Sequence, residues 1–217
     1  SWYDNNKRTL PWRVSQNYRK KQYYRILSEF MLQQTQVKTV IPYFNNFVKK
    51  IPNLKALSKS KEKRILKLWE GLGYYTRAKN LHKTSKILIK KYNGKIPNNF
   101  IKLKELPGIG DYTANILLAL IYNQPRIALD GNVKRVLSRI FNIDPMKSVN
   151  FFKTKRNSDL AEALMEFGAL VCKPKDPICE ECKIKNICTY YKQGIKVKSK
   201  NNKKFHLKSY DIFCYLK

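Results

Sequence analysis

The chain has 217 residues, with 45 Lys and Arg against 15 Asp and Glu, giving a net charge of +30. That length supports one large or two small hydrophobic cores, and no run of about 18 apolar residues is present to span a membrane. Five cysteines, four of them close together, do not read as a disulfide framework. Abundant Lys, Asn and Ile point to a compositional bias behind part of the charge. That bias does not explain the shortage of acids, so a polyanionic partner is expected. No secretory signal opens the chain, although a preceding segment could have carried a targeting peptide. Because it starts at Ser1 and stops at Lys217, it is expected to be a piece of a longer protein.

Residues 1–20 hold Trp2, Tyr3 and Leu10-Pro-Trp-Arg13, then a polar loop. Apolar periodicity predicts helices over 21–35, over 37–48 with an interruption at Pro42, over 61–69 and over 76–92. Gly71-Leu-Gly73 breaks the chain before the last of these, and Asn93-Gly94 makes a turn after it. Further helices are predicted over 113–122, 132–141 and 159–171, with an irregular polar segment at 142–158. No β pattern precedes residue 205, so the fold class is all-α. From Lys192 to Lys208 there are lysines and no acids, as in a flexible basic linker. Phe205 to Leu216 alternates loosely, as the first strand of a further domain or as a tail.

Leu106 to Asn132 is the chemical centre. Pro107-Gly-Ile-Gly110 is a tight turn that opens a helix, and a helix start offers free backbone N–H groups to a phosphate. Asp130 stands before the next helix, at the positive end of its dipole; this is also where Asp commonly acts as an N-cap, and the two roles are compatible. Trp69-Glu-Gly-Leu-Gly-Tyr-Tyr-Thr-Arg-Ala78 echoes the turn, although an ordinary helix start explains that copy equally well. Cys172, Cys179, Cys182 and Cys188 follow a C-x6-C-x2-C-x5-C spacing. Thiolates so close together indicate a metal site. One tight loop with a single C-x2-C pair suits a [4Fe–4S] cube better than zinc, which usually takes two separated pairs. Structural zinc stays open as the alternative. Cys214 lies outside the pattern and reads as an ordinary thiol.

The hairpin turn, the following Asp130 and the terminal cysteine loop together resemble the helix-hairpin-helix DNA glycosylases of the endonuclease III superfamily. Leu10-Pro-Trp-Arg13, Ser28-Glu-Phe-Met-Leu-Gln-Gln-Thr-Gln-Val37 and Gly71-Leu-Gly-Tyr-Tyr-Thr-Arg-Ala-Lys-Asn80 are similar to the MutY-type adenine glycosylases within it. These remove adenine mispaired with 8-oxoguanine, and the likeness runs from Trp2 to Cys188. It implies two helical subdomains. A six-helix barrel with the helix-hairpin-helix would occupy 21–124, and an iron–sulfur cluster subdomain would be built from 1–20 and 125–191. The segment 192–217 would be the basic linker and the start of a recognition domain for 8-oxoguanine, so this piece would cleave adenine but read 8-oxoguanine poorly.

The resemblance also assigns roles. Glu29 would protonate adenine at N7 and Asp130 would stabilise the sugar cation, with Tyr112 and Asn132 orienting Asp130. Taken alone, Glu29 would read as a surface Glu on a helix. Gln34 and Tyr74 would enter the duplex beside the lesion, with core packing the other reading of Tyr74, and Gln33 and Thr35 would bind DNA beside them. Pro107, Gly108, Ile109 and Gly110 would grip the DNA backbone. Trp12, Arg13 and Glu166 would line the base pocket; a core Trp and a surface Glu are the plainer readings. Lysine-using lyases of the superfamily place the amine where this chain has Tyr112, so a monofunctional enzyme is implied. The expected partner is double-stranded DNA carrying an A:8-oxoguanine or A:G mispair, bound by a monomer in the bacterial cytoplasm, a nucleus or an organelle. Thymine-mismatch glycosylases also carry tyrosine there but lack the Ser28-Glu29 and Gln33-Gln34-Thr35 sequence. A DNA-binding module without catalysis is the rival from another class. Two departures stand out: the stretch between Asp130 and Cys172 is short for the family, and Leu160-Ala-Glu-Ala-Leu-Met165 replaces its Phe-Asn-Gln-Ala-Leu-Met.

Overall fold

The computed structural model describes residues 1–13, 17–145 and 154–194. Among them every regular element is helical: α1 (Trp2–Asn6), α2 (Tyr18–Leu32), α3 (Val37–Lys50), α4 (Leu54–Lys59), α5 (Glu62–Trp69), α6 (Thr76–Tyr92), α7 (Phe100–Lys104), α8 (Asp111–Tyr122), α9 (Gly131–Phe141), α10 (Asn157–Leu170) and α11 (Thr189–Lys192), with a 3-10 turn at Lys185–Ile187. No helix among the described residues is long and apolar enough to cross a membrane. The expected strand after Phe205 and the thiol Cys214 lie outside the described residues, as does most of the polar segment at 146–153. Lys192, the first residue of the expected linker, ends the helical turn Thr189–Lys192, and residues 195–208 of that linker lie outside the described residues.

The sequence period located the long helices to within a few residues. α2 starts earlier than expected, at Tyr18, because the Asn17 side chain accepts from the Lys20 N–H at 3.0 Å and caps it. α3 runs through Pro42 without interruption. The proline forfeits one backbone bond, but Val40, Phe44 and Phe47 are fully buried on one face and hold the helix together. The four shortest helices escaped the sequence reading, since five residues show no period. A cap was the available signal: Asn53 accepts from Ala56 N–H at 2.8 Å and Asn99 from Lys102 N–H at 3.0 Å.

The largest core is built from α2, α3, α5, α6 and α8, with Phe30, Phe44, Phe47 and Trp69 at its centre. Leu10 and Trp12, from the segment before α2, also belong to it. α8 is apolar all round, and its two faces serve two cores. Ala114, Leu117, Leu118 and Ile121 face the large core, whereas Ile116, Ala119 and Leu120 meet Ala161 and Met165 of α10. A third cluster joins Val133, Val136, Leu137 and Ile140 of α9 to Leu164 of α10 and to Cys172 and Ile184 of the cysteine loop. The chain start docks on α10 through an edge-on Trp2–Phe167 contact at 5.3 Å.

Candidate active site

A cleft of about 1030 Å³ runs between the large core and the α9–α10 unit. Its lining includes Trp12, Arg13, Glu29, Gln33, Gln34, Thr35, Tyr74, Gly110, Tyr112, Asp130, Asn132 and Glu166. The fold therefore brings residues from six separate stretches to one place. Pro107, Gly108 and Ile109 do not line it; they form the adjoining turn, with Ile109 buried in the large core. Gly108 has φ +79°, and a Cβ there would stand 2.7 Å from Phe30 Cε1 and 2.9 Å from Asn80 Cβ. Glycine is thus required twice, by backbone conformation and by close approach. Gly110 is the N-cap of α8 and supplies no side-chain cap, so the first N–H groups of α8 have no side-chain partner there. The echo at Gly71 and Gly73 differs in geometry, since both have positive φ and Tyr75, not a glycine, caps α6.

Glu29 is only 7% exposed, on the inner face of α2. Burial pushes its carboxyl up to about 7, against the pull of Arg25, with Glu162 and Asp130 adding to the rise. The acid is therefore half protonated near neutrality. Asp130 caps α9, its Oδ1 accepting from the Val133 N–H at 2.7 Å and its Oδ2 from Asn132 Nδ2 at 3.3 Å. Asn132 is held in turn: Arg135 Nη2 donates to its Oδ1 and to the Gly168 carbonyl, each at 2.8 Å. Gly168 is needed there, since a Cβ would sit 2.7 Å from Asn132 Cβ. Tyr112 is partly buried beside both carboxyls, and burial of its hydroxyl together with their charges raises it. It makes no hydrogen bond to Asp130 here, unlike Asn132.

Charged residues line the cleft floor in pairs. Arg13 donates to Glu162 Oε1 at 2.9 Å and to Glu166 Oε1 at 2.8 Å, and Arg8 donates to both Glu166 oxygens at 2.8 and 3.1 Å. Glu166 is 1% exposed, so it is not a surface residue. Trp12 is equally buried and meets Phe44 edge-on at 5.3 Å.

The rim is held by a residue that sequence reading passed over. Arg77 of α6 is buried and donates to the carbonyls of Phe30, Met31 and Gln33, to Thr35 Oγ1 at 3.0 Å, and to the carbonyls of Leu72 and Gly73 at 3.2 and 3.0 Å. It thus caps the C-terminus of α2 from another helix and ties the Gln33–Thr35 turn to the Gly71–Tyr74 loop. Each loop carries one exposed non-glycine residue with a left-handed backbone, Gln34 at φ 56° and Tyr74 at φ 48°. Tyr74 is 62% exposed, which removes the core-packing reading. A buried Arg inside a helix period gives no sign of such a role; only its many carbonyl partners do.

All four cysteines of the loop line one small apolar pocket with Phe167, Ile178 and Ile184. Among the described residues, no three His, Cys, Asp or Glu side chains converge closely enough to hold a single metal ion. Burial, then mutual repulsion, raises the Cys179 thiol. Arg139 of α9 reaches Cys172 Sγ at 3.5 Å and the Lys173 carbonyl at 2.7 Å, while Arg135 reaches the Cys172 carbonyl at 2.9 Å. One helix thus holds the cysteine loop at one end and Asp130 with Asn132 at the other.

The sequence pattern of the HhH-GPD superfamily of base excision DNA repair proteins matches residues 27–158, more than half of the chain. The chain belongs to this superfamily. The adenine DNA glycosylase of Buchnera aphidicola subsp. Baizongia pistaciae is 41% identical over 94% of the chain. The chain spans only 61% of that relative's length. Among solved structures, a thermostable thymine-DNA glycosylase superposes with a TM-score of 0.77 at 24% identity, covering 88% of this chain and 92% of that one. Endonuclease III trapped as a covalent DNA intermediate gives 0.71 at 22% identity, covering 89% and 92%. At such identities these two likenesses speak for the fold alone. In this HhH-GPD chain Gly110, Asp130 and Glu29 open onto one cleft.

Proposed function

We propose that this HhH-GPD chain is a monofunctional adenine DNA glycosylase, hydrolysing the N-glycosidic bond of adenine mispaired with 8-oxoguanine or guanine. The observation that carries the reading is the pair of unlike carboxyls in one cleft. Glu29 is buried and held partly protonated near pH 7, whereas Asp130 accepts two hydrogen bonds at a helix start. Glycoside cleavage through a sugar cation needs such a division, with one acid for the leaving group and one anion for the cation. Glu29 donates its proton to the adenine as the C1′–N9 bond breaks, and Asp130 faces the developing charge on the sugar. Water adds at C1′, and a cleft carboxylate takes up the proton it releases. Tyr112 supplies no amine, so no Schiff base forms. Asn132 steadies Asp130, and Tyr112 walls the cleft beside it.

Double-stranded DNA is the partner this reading requires. The +30 charge favours it, as does the start of α8 behind the Pro107-Gly-Ile-Gly110 turn. Gln33, Gln34, Thr35 and Tyr74 stand on the rim, where a flipped base leaves a gap to fill. Trp12, Arg13 and Glu166 line the cleft that would receive the adenine. The enzyme acts as a monomer associated with DNA inside the cell. Two lobes meet at the cleft: 21–124 around the large core, and 1–20 with 125–191 around the cysteine loop, although Leu10 and Trp12 cross into the large core. Cys172, Cys179, Cys182 and Cys188 would hold a [4Fe–4S] cluster, whose donor set of four thiolates around one apolar pocket they match. Bound there, the cluster would brace the loop.

Single-turnover release of adenine from an A:8-oxoguanine duplex tests the reading. Wild type is expected to release adenine, and Glu29→Gln to be slower by at least ~100-fold, the usual scale of a general acid. Equal inactivity of both proteins on A:8-oxoguanine and A:G, or release of thymine from a T:G duplex instead, would overturn it.

A further inference from the structure

Arg25 lies four residues before Glu29, one turn earlier on the same face of α2, and both side chains line the cleft. Such a spacing ordinarily makes an ion pair, and an ion pair would strip Glu29 of its proton. Here the pair is not made. Arg25 Nη1 instead donates to Glu162 Oε1 at 2.6 Å, across to α10. Glu162 is also buried, receives Arg13 Nε at 2.9 Å and accepts the Tyr3 hydroxyl at 2.6 Å on its other oxygen. Three groups from two segments thus hold Glu162 in place. Arg25 keeps a buried Nε without any acceptor, so the cation has an unused donor inside the cleft.

Resting on the glycosylase reading above, we propose that Glu162 is a positioning residue for the acid: by holding Arg25 it keeps that cation from pairing with Glu29. A buried guanidinium that loses its carboxylate partner is left uncompensated and turns to another acceptor within reach. With Glu162 neutral, the acidic groups left to Arg25 in the cleft are Glu29 one turn away, Asp130 at the start of α9 and Glu166 on α10. Glu166 is occupied by Arg8 and Arg13, and Asp130 by the α9 cap and Asn132. Glu29 accepts no comparable bonds and is the free partner. The other charged or titratable groups facing the cleft are Tyr112 on α8, Tyr74 on the rim loop, Arg77 on α6 and Lys38 on α3. Arg77 is tied to carbonyls on the rim. The negative charge of Glu162 also acts on Glu29 directly, in the same direction as its removal of Arg25.

Carboxyl-carbon NMR titration of Glu29, assigned by its loss in Glu29→Gln, reads the effect apart from turnover. The pH profile of single-turnover adenine release reads it during turnover. Glu162→Gln is expected to lower the Glu29 titration midpoint by about one unit or more, the usual effect of one uncompensated neighbouring charge. The alkaline limb of the rate profile should move down with it. Removing the cation as well, in Arg25→Leu/Glu162→Gln, should return the midpoint towards that of wild type. Arg25→Leu alone should raise it, which keeps the test open if Glu162→Gln does not fold. An unmoved midpoint in Glu162→Gln, or the same downward shift in the single and double variants, overturns the proposal. So does a loss of activity without a shift, since that is what a purely structural brace would show. If wild type released no adenine, the functional reading would fall, while the NMR titration would still decide this one.

Discussion

Glu29 and Glu162 are both carboxylic acids on inward helix faces, yet their surroundings drive them apart. Burial takes Glu29 from 4.5 up to about 7. Glu162 is buried too, but Arg25 and Arg13 outweigh the burial and hold it down at about 2. The difference lies in direct hydrogen bonds to guanidinium groups, which Glu162 has and Glu29 lacks. A measurable consequence follows from linkage. Because the folded Glu29 value is raised, its favourable contribution is complete below about pH 4.5 and is lost as pH rises through about 7. Above that, the fold carries a buried carboxylate. Glu29→Gln is therefore expected to stabilise the protein by about 2 kcal/mol more at pH 8 than at pH 5, read by urea unfolding. A difference independent of pH would refute the burial-driven shift. Glu29 was legible as a candidate from the sequence around it, whereas Arg25, Glu162 and Arg77 were not. Their roles depend on partners up to 159 residues away, and no local pattern encodes these.

Among the elements, the hairpin turn and α8 show how local chemistry positions the site. Gly108 sits at φ +79° with Phe30 and Asn80 against its Cα, and Gly110 has φ −91° with open space around it. Gly108→Ala should cost about 2–4 kcal/mol through backbone strain and overpacking combined. Gly110→Ala should cost less than about 1 kcal/mol. Thermal unfolding of the two variants checks the contrast, and equal losses would refute the geometry. Both glycines looked alike in the sequence, as two marks of one motif; the structure separates them by what surrounds each. α9 is the second element that matters. Its apolar face builds a core, its first residues hold Asp130 and Asn132, and Arg135 and Arg139 tie the cysteine loop. Periodicity could reveal the apolar face, but not that the polar face links two sites.

For the molecule as a whole, the large core and the cysteine loop are expected to respond differently to loss of metal. The large core is made of fully buried aromatic and aliphatic side chains. The loop has one 3-10 turn, partly exposed cysteines and a small apolar pocket. Freshly purified protein should therefore be brownish, with broad violet absorbance and about four irons per chain. Removing the iron should raise hydrogen exchange at 172–188 and the end of α9, and leave α2 to α8 protected. A colourless protein with one zinc per chain would sink the cluster reading. By itself the sequence determined the helical class, the long helices, the hairpin turn, the cysteine spacing and the two leading carboxyls. These depend on periods of a few residues, on glycine and proline, and on motif spacing, all local properties. Only the tertiary structure decided that Glu29 is buried, that Tyr74 is exposed, that Glu166 is paired, and that Arg77 binds two rim loops together. Burial and pairing are properties of what the rest of the chain brings to a residue. In this fold those neighbours come from up to 158 residues away.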